Sequence, residues 1–351
     1  MVWYGFGFSG FGQLGEELNR YLPEPVRIPE ARGEGKHICK VTPSWSYTVL
    51  LTDDGSLSLS GFIDGSSQQY LHLHGLGCLD ALPADRYLVV LFQDSVKCWD
   101  TRSLGSHGIQ AEPMWGMDLP SGHSPAFPLV ANGYVLHQPP FFRELPSRLQ
   151  ARKLVLGNEH VVMLTADSMV LAWGAGRHGQ LGHGDLEDVL EPRIVDALHG
   201  VAMSDVAAGG WHSASISDGG DIYCWGWNES GQLGLPSKAL AKESGSAEVS
   251  ASGSEAEVSE FISIQSFPAL IDLPQESEAS KISCGSRHTA AVTRCGELFT
   301  WGWGKYGQLG HGDAKSLDHP KRVEYFIQNK LCVENVTCRY WNTYVLCCKE
   351  K

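Results

Sequence analysis

The sequence predicts an all-β fold built from repeated sheets, a β-propeller, and three observations support this. The string Gly-Gln-Leu-Gly occurs four times and ends at Gly15, Gly182, Gly234 and Gly310. In three copies a Trp-Gly pair precedes the string, and a histidine precedes each tryptophan by 13 residues (173 − 160, 225 − 212, 301 − 288). The tryptophans are 52 and then 76 residues apart (225 − 173, 301 − 225). A strand-rich period of about 50 residues is typical of a propeller with one sheet per repeat.

Each clear repeat reads as strand, tight turn, strand and glycine-rich loop. We expect the residues that recur in one phase to be structural: histidines buried and bonded to neighbouring backbone, tryptophans packed between blades, and loop glycines. They are His160, His212, His288, Trp173, Trp225, Trp301, Gly179, Gly231 and Gly307. No serine or cysteine nucleophile pattern accompanies them, so we predict a protein without catalytic residues, not an enzyme.

An insertion accounts for the 24 additional residues of the longer spacing (76 − 52). Residues 236–260 are rich in Ser, Glu, Ala and Gly and contain no aromatic residue. Such a composition cannot bury enough apolar surface to offset the entropy of folding, so we predict a disordered loop within a single propeller spanning 1–351.

The two ends of the chain carry complementary halves of one repeat. Residues 1–15 hold the second half without the first. Residues 336–346 hold the first-strand pattern, with Asn342 in the histidine position, and no second half follows. We therefore expect N- and C-terminal strands to pair in one blade, which closes the ring and removes an open sheet edge.

The repeat is weaker between these regions. Residues 36–62 keep the strand and turn pattern with Tyr47 in the histidine position, but no Gly-Gln-Leu-Gly string follows. Residues 63–150 depart further and are predicted to hold degenerate blades and a linker. Candidate hairpins pair residues 87–92 with 95–99, and 126–130 with 134–137. Two degenerate blades would bring the total to seven, and six blades are the alternative.

The segment Pro139–Pro146 combines three prolines with Phe141, Phe142 and Arg143. Proline removes donors and holds the chain extended, so we expect a poor sheet strand. One interpretation is a linker that the two phenylalanines pin to the propeller. The other is an exposed docking segment that presents Arg143, because a pre-extended segment loses less entropy on binding.

Composition and charge exclude several classes of function. The chain has 27 basic and 40 acidic residues, a net charge of −13, which argues against a broad nucleic-acid-binding surface. No apolar run reaches membrane-spanning length, and the N-terminus is not a secretion signal, so we expect an intracellular protein without membrane contact. The ten cysteines are scattered and are expected to be reduced.

Two His-Gly-Asp strings, at 183–185 and 311–313, resemble half of a non-haem iron site. Both lie ten residues after a repeat tryptophan (183 − 173, 311 − 301), which is typical of a repeated turn. We therefore predict neither a metal site nor a cofactor.

These strings resemble the repeats of the regulator of chromosome condensation family over residues 1–15, 152–235 and 278–348. The resemblance implies a seven-bladed propeller whose two ends share a blade. The founding member catalyses nucleotide exchange on a nuclear GTPase and docks on nucleosomes. This chain has no basic tail of the kind that docks on nucleosomes, and its second to fourth blades depart from the pattern.

Short length, acidic charge and the Ser/Glu-rich insertion are closer to a small member of the family that partners a JmjC-type 2-oxoglutarate oxygenase. That resemblance implies a non-catalytic, protein-binding, chromatin-associated cofactor of histone demethylation or hydroxylation. It would be nuclear and chromosome-associated, with a cytoplasmic pool left open. Arg143 would enter the oxygenase as substrate or mimic. The alternative is a guanine-nucleotide exchange factor for a small nuclear GTPase, which would need a protruding wedge.

Overall fold

The computed structural model describes residues 1–15, 19–29, 36–63, 65, 67, 69–75, 77–120, 126–243 and 261–349. These residues form seven antiparallel sheets, six of four strands and one of three. The sheets are the blades of a β-propeller, which confirms the all-β, seven-bladed prediction over the six-bladed alternative. We number the blades 1 to 7 in chain order and count the strands of a blade from the axis outward.

The first half of the chain supplies the outer part of blade 1 and all of blades 2 to 4. Blade 1 begins with β1 (Val2–Phe8) and β2 (Tyr21–Arg27). Blade 2 consists of β3 (Ile38–Pro43), β4 (Tyr47–Thr52), β5 (Leu57–Gly61) and β6 (Gln69–Leu73). Blade 3 consists of β7 (Asp80–Pro83), β8 (Tyr87–Leu91), β9 (Ser95–Asp100) and β10 (Trp115–Asp118). Blade 4 has β11 (Leu129–Val130), β12 (Gly133–Val135) and β13 (Phe142–Glu144).

The second half supplies the regular repeats. Blade 5 consists of β14 (Ala151–Leu156), β15 (His160–Thr165), β16 (Val170–Gly174) and β17 (Val189–Ile194). Blade 6 consists of β18 (Met203–Ala208), β19 (His212–Ser217), β20 (Ile222–Trp227) and β21 (Ile264–Ile271). Blade 7 consists of β22 (Ala279–Cys284), β23 (His288–Thr293), β24 (Leu298–Gly302) and β25 (Leu317–Arg322). β26 (Leu331–Arg339) and β27 (Asn342–Lys349) complete blade 1.

Among the described residues, three short α-helices lie in the connections between strands. They are α1 (Thr101–His107), α2 (Lys238–Glu243) and α3 (Glu324–Gln328). In the described part of the chain, no helix has the length and apolar character needed to cross a bilayer.

The ring is closed by pairing of the N- and C-terminal strands, as the sequence predicts. β1 runs antiparallel to β27, in a register that places Val2 opposite Cys347 and Gly7 opposite Asn342. Since β1 also pairs with β2 and β27 with β26, blade 1 is a complete four-stranded sheet drawn from both ends. The pairing hides two strand edges that would otherwise be open to other chains.

The core lies between the blades. The buried apolar residues of the described chain form seven clusters, and each cluster joins two neighbouring sheets. Trp225 of blade 6 packs in this way against Leu181 and Val162 of blade 5 and is fully buried. Trp301 of blade 7 packs against the core of blade 6 in the same manner. The core is therefore a ring of sheet-to-sheet contacts in which each blade depends on two neighbours.

The degenerate region contains two blades. Tyr87–Leu91 pairs with Ser95–Asp100, and Leu129–Val130 pairs with Gly133–Val135, at the two predicted hairpins. Blade 3 has the usual four strands, while blade 4 has three among the described residues. The motif strings are absent here, but the strands are rich in buried apolar residues, and these pack between blades 3 and 4.

The prediction that residues 139–146 make a poor strand is wrong for part of the segment. Phe142–Glu144 is the outer strand of blade 4, and its Arg143 lies opposite Tyr134. The two leading prolines lie in the turn before the strand, which is held by the Phe141 N–H donating to the Gln138 carbonyl at 3.0 Å. Proline has no backbone N–H to donate, but residues in that turn are not required to donate to the sheet. The two prolines therefore do not interrupt the hydrogen bonds between β12 and β13.

The insertion is also more ordered at its start than predicted. Residues 238–243 form α2, and Ser237 is buried. The Ser237 hydroxyl donates to the Glu229 carbonyl at 2.6 Å, and its N–H donates to Asp318 Oδ2 at 3.0 Å. These bonds tie the segment to blades 6 and 7, which composition alone does not reveal. The rest of the predicted disordered loop, residues 244–260, lies outside the described residues.

Candidate protein-interaction surface

One face of the propeller is built from loops in a fixed relation to the strands. In each regular blade the first residue of the second strand lies opposite the last glycine of the third: His160 opposite Gly174, and His288 opposite Gly302. The residue before the second strand and the residue after that glycine therefore emerge together. We call the face that carries them the upper face.

The repeat histidines hold neighbouring blades together just beneath this face. His160 Nε2 lies 2.8 Å from Ser213 Oγ of the next blade, and that hydroxyl donates to the Gln180 carbonyl at 2.8 Å. The arrangement recurs with His212, Thr289 and Gln232, and with His288, Thr343 and Gln308. We expected these histidines to bond neighbouring backbone directly, and this is corrected. Each Nε2 instead forms a hydrogen bond with a hydroxyl, and that hydroxyl donates to a backbone carbonyl.

Burial keeps these histidines neutral. Desolvation lowers the pKa of His160 to about 4 and those of His212 and His288 to about 3. Because each hydroxyl gives its proton to a glutamine carbonyl, it accepts from the ring, so the Nε2–H tautomer is the one that fits. The histidines act as structural links between blades.

The Gly-Gln-Leu-Gly loops are rigid for a related reason. The Gln180 side chain is buried, and its Oε1 accepts the His178 N–H at 2.8 Å, which fixes the turn. Gly231 has a φ of +76°, and an added Cβ would lie 2.6 Å from the Cα of Asp318 on the next blade. Gly179 and Gly307 occupy the same position against the outer strands of blades 6 and 1. Only glycine allows this approach, so the loops hold the upper face in place.

Nine aromatic side chains lie on the upper face of blades 6, 7, 1 and 2. We call them the aromatic crescent; they are Phe8, Phe11, Trp45, Phe62, Trp211, Trp227, Trp303, Tyr306 and Trp341. Ring centroids are 4.8 Å apart for Trp303 and Trp341 and 5.0 Å apart for Phe8 and Tyr306. Phe62 is 37% exposed, and the others are partly exposed. Clusters of contacting aromatic rings left open to solvent are typical of protein interfaces.

The sequence analysis missed this surface. Trp211 and Trp341 stand directly before a second strand, while Trp227 and Trp303 stand two residues after a repeat aromatic. The available signal was that these tryptophans recur at the same positions of the repeat, at the ends of strands and outside the buried positions. Phe6 was also missed: it lies beneath the face in the cluster between blades 7 and 1, as Trp225 and Trp301 do at their own boundaries.

Charged groups border the crescent. The Trp211 indole N–H donates to Glu159 Oε2 at 2.7 Å, and this bond, with Arg177 beside it, lowers the pKa of Glu159. Lys305 pairs with Glu243 at 2.7 Å. The Arg287 guanidinium lies 4.4 Å from the centre of the Trp227 ring.

The candidate docking segment lies apart from the crescent, on blade 4. Phe141 is only 5% exposed and packs between Tyr87 and Trp115, with centroids 5.2 Å and 5.6 Å away. It belongs to the core and is not available as a docking anchor, which corrects that interpretation. Phe142 is partly buried, and Arg143 is exposed on the outer strand.

The two His-Gly-Asp histidines are held within their turns. His183 Nε2 contacts the Ala172 carbonyl at 3.2 Å, and His311 Nε2 contacts Thr300 Oγ1 at 3.0 Å, as parts of turns. Within the described ranges no group of three or more His, Cys, Asp or Glu residues could hold a metal ion. Near the axis, blades 5, 6, 7 and 1 line a small open recess of about 20 Å³, which is room for about one water molecule.

The repeats match a known family model. The model of the regulator of chromosome condensation (RCC1) repeat matches residues 167–216, 219–292 and 295–346, half of the chain. This chain belongs to the RCC1 repeat family. "RCC1 domain-containing protein 1" is 46% identical in both Homo sapiens and Mus musculus, over 98% of this chain and 96% of each relative. The RCC1-type resemblance seen in the sequence is thereby confirmed.

Solved structures agree with the propeller. Prp20p from Saccharomyces cerevisiae, described with its binding to Gsp1p and histones, superposes with a TM-score of 0.73 at 17% identity. The match covers all of this chain and 92% of Prp20p. At that identity the likeness shows the fold of this RCC1 repeat protein.

Proposed function

We propose that this RCC1 repeat protein is a non-catalytic binding scaffold whose upper face docks another protein. The aromatic crescent is the observation that carries the proposal. Rigid loops hold its nine rings at the surface, where they remain partly exposed. Trp and Tyr side chains of this kind are the residues that dominate binding energy at protein interfaces.

The finer proposal is a cofactor role for a JmjC-type 2-oxoglutarate oxygenase in the nucleus, associated with chromatin through that partner. Family resemblance is its main support, and Arg143 adds a structural one. Arg143 is exposed on the outer strand of blade 4, and no ion pair holds it within the described residues. A free guanidinium on an extended strand can enter a cleft and pair bidentately with a carboxylate there.

The exchange-factor alternative has no comparable support. Prp20p shares the fold at 17% identity, and a likeness at that level gives no support for a shared binding activity. A nucleotide-release assay with a small nuclear GTPase discriminates the two functions, and we expect no acceleration.

Binding of the full-length chain to the purified oxygenase tests the cofactor role. We expect Arg143→Lys to weaken binding, since lysine lacks the planar fork, while Arg148→Lys, five residues along and also exposed, serves as the matched control. When O2 and 2-oxoglutarate are supplied, mass spectrometry should show the gain of one oxygen atom on Arg143, while the other oxygen atom goes to succinate as 2-oxoglutarate loses CO2. Full binding by an unmodified Arg143→Lys variant would place the interface elsewhere on the propeller.

A further inference from the structure

We infer that the aromatic crescent takes an acidic protein segment, selected by Arg287. This inference rests on the proposed binding function and specifies the chemistry of the partner that fits the upper face. It concerns blades 6 and 7, on which Arg143 does not lie.

Arg287 lies among the rings that blades 6 and 7 contribute to the crescent. It stands directly before β23, and its carbonyl accepts the Trp303 N–H at 2.8 Å, so its backbone is fixed between Trp227 and Trp303. Its guanidinium stacks on the Trp227 ring at 4.4 Å and is half-buried. The side chain is therefore held in one orientation on the face.

Its charge has no carboxylate partner among the described residues. Two cations beside this part of the crescent are already paired, Arg177 with Glu159 and Lys305 with Glu243. Arg287, in contrast, has no ion pair among the described residues and is left for a partner.

Any partner that covers the crescent also covers this guanidinium. Burying an arginine without a countercharge is strongly unfavourable, whereas a carboxylate in bidentate contact offsets the loss of water. The flanking indoles favour apolar side chains on either side of that carboxylate. The fitting segment therefore presents Asp or Glu between apolar residues. Because the whole chain carries a charge of −13, attraction to such a segment must be local and depend on Arg287.

Selection from a random peptide library displayed on phage tests this with the full-length chain. Peptides are selected on the wild-type protein and counter-selected on Arg287→Gln. We expect the retained peptides to share an Asp or Glu flanked by apolar residues. The selected peptides are then synthesised and their affinities measured by fluorescence anisotropy.

We expect Arg287→Gln to weaken binding by about 30-fold or more, as for removal of one member of a covered charge pair. Arg287→Lys should weaken it less, because the charge remains and the fork is lost. Arg193→Gln, on the outer strand of blade 5, is the matched control and should bind as wild type. Replacing the peptide carboxylate by its amide should not weaken binding to Arg287→Gln further. Melting temperatures verify that each variant is folded.

Three results would overturn the inference. One is a set of selected peptides without acidic residues, or with equal affinity for Arg287→Gln. Another is a failure to select any peptide while the oxygenase still binds, which rejects the acidic segment and leaves the proposed function standing. The third is sedimentation showing a wild-type dimer that Arg287→Gln separates, which would make a second copy the occupant. Loss of oxygenase binding by wild type is the separate failure of the proposed function.

Discussion

At the scale of single residues, two tryptophans in one strand, β20, have opposite roles. Trp225 is fully buried between blades 5 and 6, while Trp227, two residues on, lies partly exposed on the upper face. Strand alternation alone would place residues two apart on the same face, but the register shifts at Gly226, whose φ of +110° turns the chain between them. The same residue type, tryptophan, therefore lies in the core at position 225 and on the surface at position 227.

Trp225→Ala should destabilise the protein by about 3–5 kcal/mol, because it removes a buried aromatic side chain and leaves a cavity between two blades. Trp227→Ala is the matched control and should cost far less, since its ring stays partly in water. Urea unfolding of both variants measures the two free energies. Equal losses would show that Trp225 is not the ring that joins the blades.

The buried histidines predict that stability depends on pH in a definite direction. Their folded pKa values of about 3 to 4 lie below the ordinary value near 6.5, so the unfolded chain takes up protons first. Stability is then complete above about pH 6.5 and falls as the pH decreases toward 4. At pH 5 each histidine should cost about 2 kcal/mol.

His288→Asn should reduce this dependence, since Asn342 already occupies the equivalent position of blade 1 without titrating. The control is the stability of the same variant at pH 8, where histidine is neutral in both the folded and the unfolded chain. Urea unfolding at several pH values between 4 and 8 checks this. An unchanged slope in His288→Asn would mean that the ring is protonated in the folded protein.

At the scale of elements, blade 4 and the start of the insertion are where local composition gave the wrong picture. Phe142–Glu144 pairs with Gly133–Val135 despite the surrounding prolines. α2 follows Ser237, which contacts residues of blades 6 and 7 that are distant in sequence. In both cases the groups that hydrogen-bond to the segment lie outside it. The propensity of the segment's own residues therefore does not decide which secondary structure it forms.

Deletion of residues 237–243 should destabilise the protein, because it removes the two hydrogen bonds of Ser237 and the Lys305–Glu243 pair. We expect a loss of about 1–3 kcal/mol, mainly from the buried serine bonds. Deletion of residues 245–259, which are Ser- and Glu-rich, is the comparison and should leave the melting temperature nearly unchanged. The reverse order of effects would contradict the assignment of Ser237 and α2 as the anchored part.

At the scale of the whole molecule, the ring makes each blade depend on its neighbours. Seven inter-blade clusters within the described residues leave no separate core for any single sheet. The boundary between blades 1 and 2 uses its own version of the hydroxyl link: the Tyr344 hydroxyl lies 2.6 Å from Thr48 Oγ1 and donates to the Gln13 carbonyl at 3.1 Å. Closure of blade 1 is therefore coupled to blade 2.

Deleting residues 1–15 should cause a large loss of stability or insoluble protein. It removes β1, exposes the edge of β27, and takes Phe6 and Trp3 out of two inter-blade clusters. Expression yield and the melting temperature of the truncated chain are the measurements. A folded truncation with the melting temperature of the full chain would show that the ring does not need its closing strand.

The sequence by itself determined the repeat, the pairing of the chain ends, the RCC1-type fold and the buried identity of His160, His212 and His288. These follow from local periodicity and from a motif that recurs in phase, both of which are written in the order of residues. Tertiary structure alone decided which hydroxyl each histidine meets, that Phe141 is core, and that nine aromatic rings and Arg287 share one face. Those facts depend on which blades become neighbours and on which end of each sheet faces the same side, and the ring sets both only when it closes.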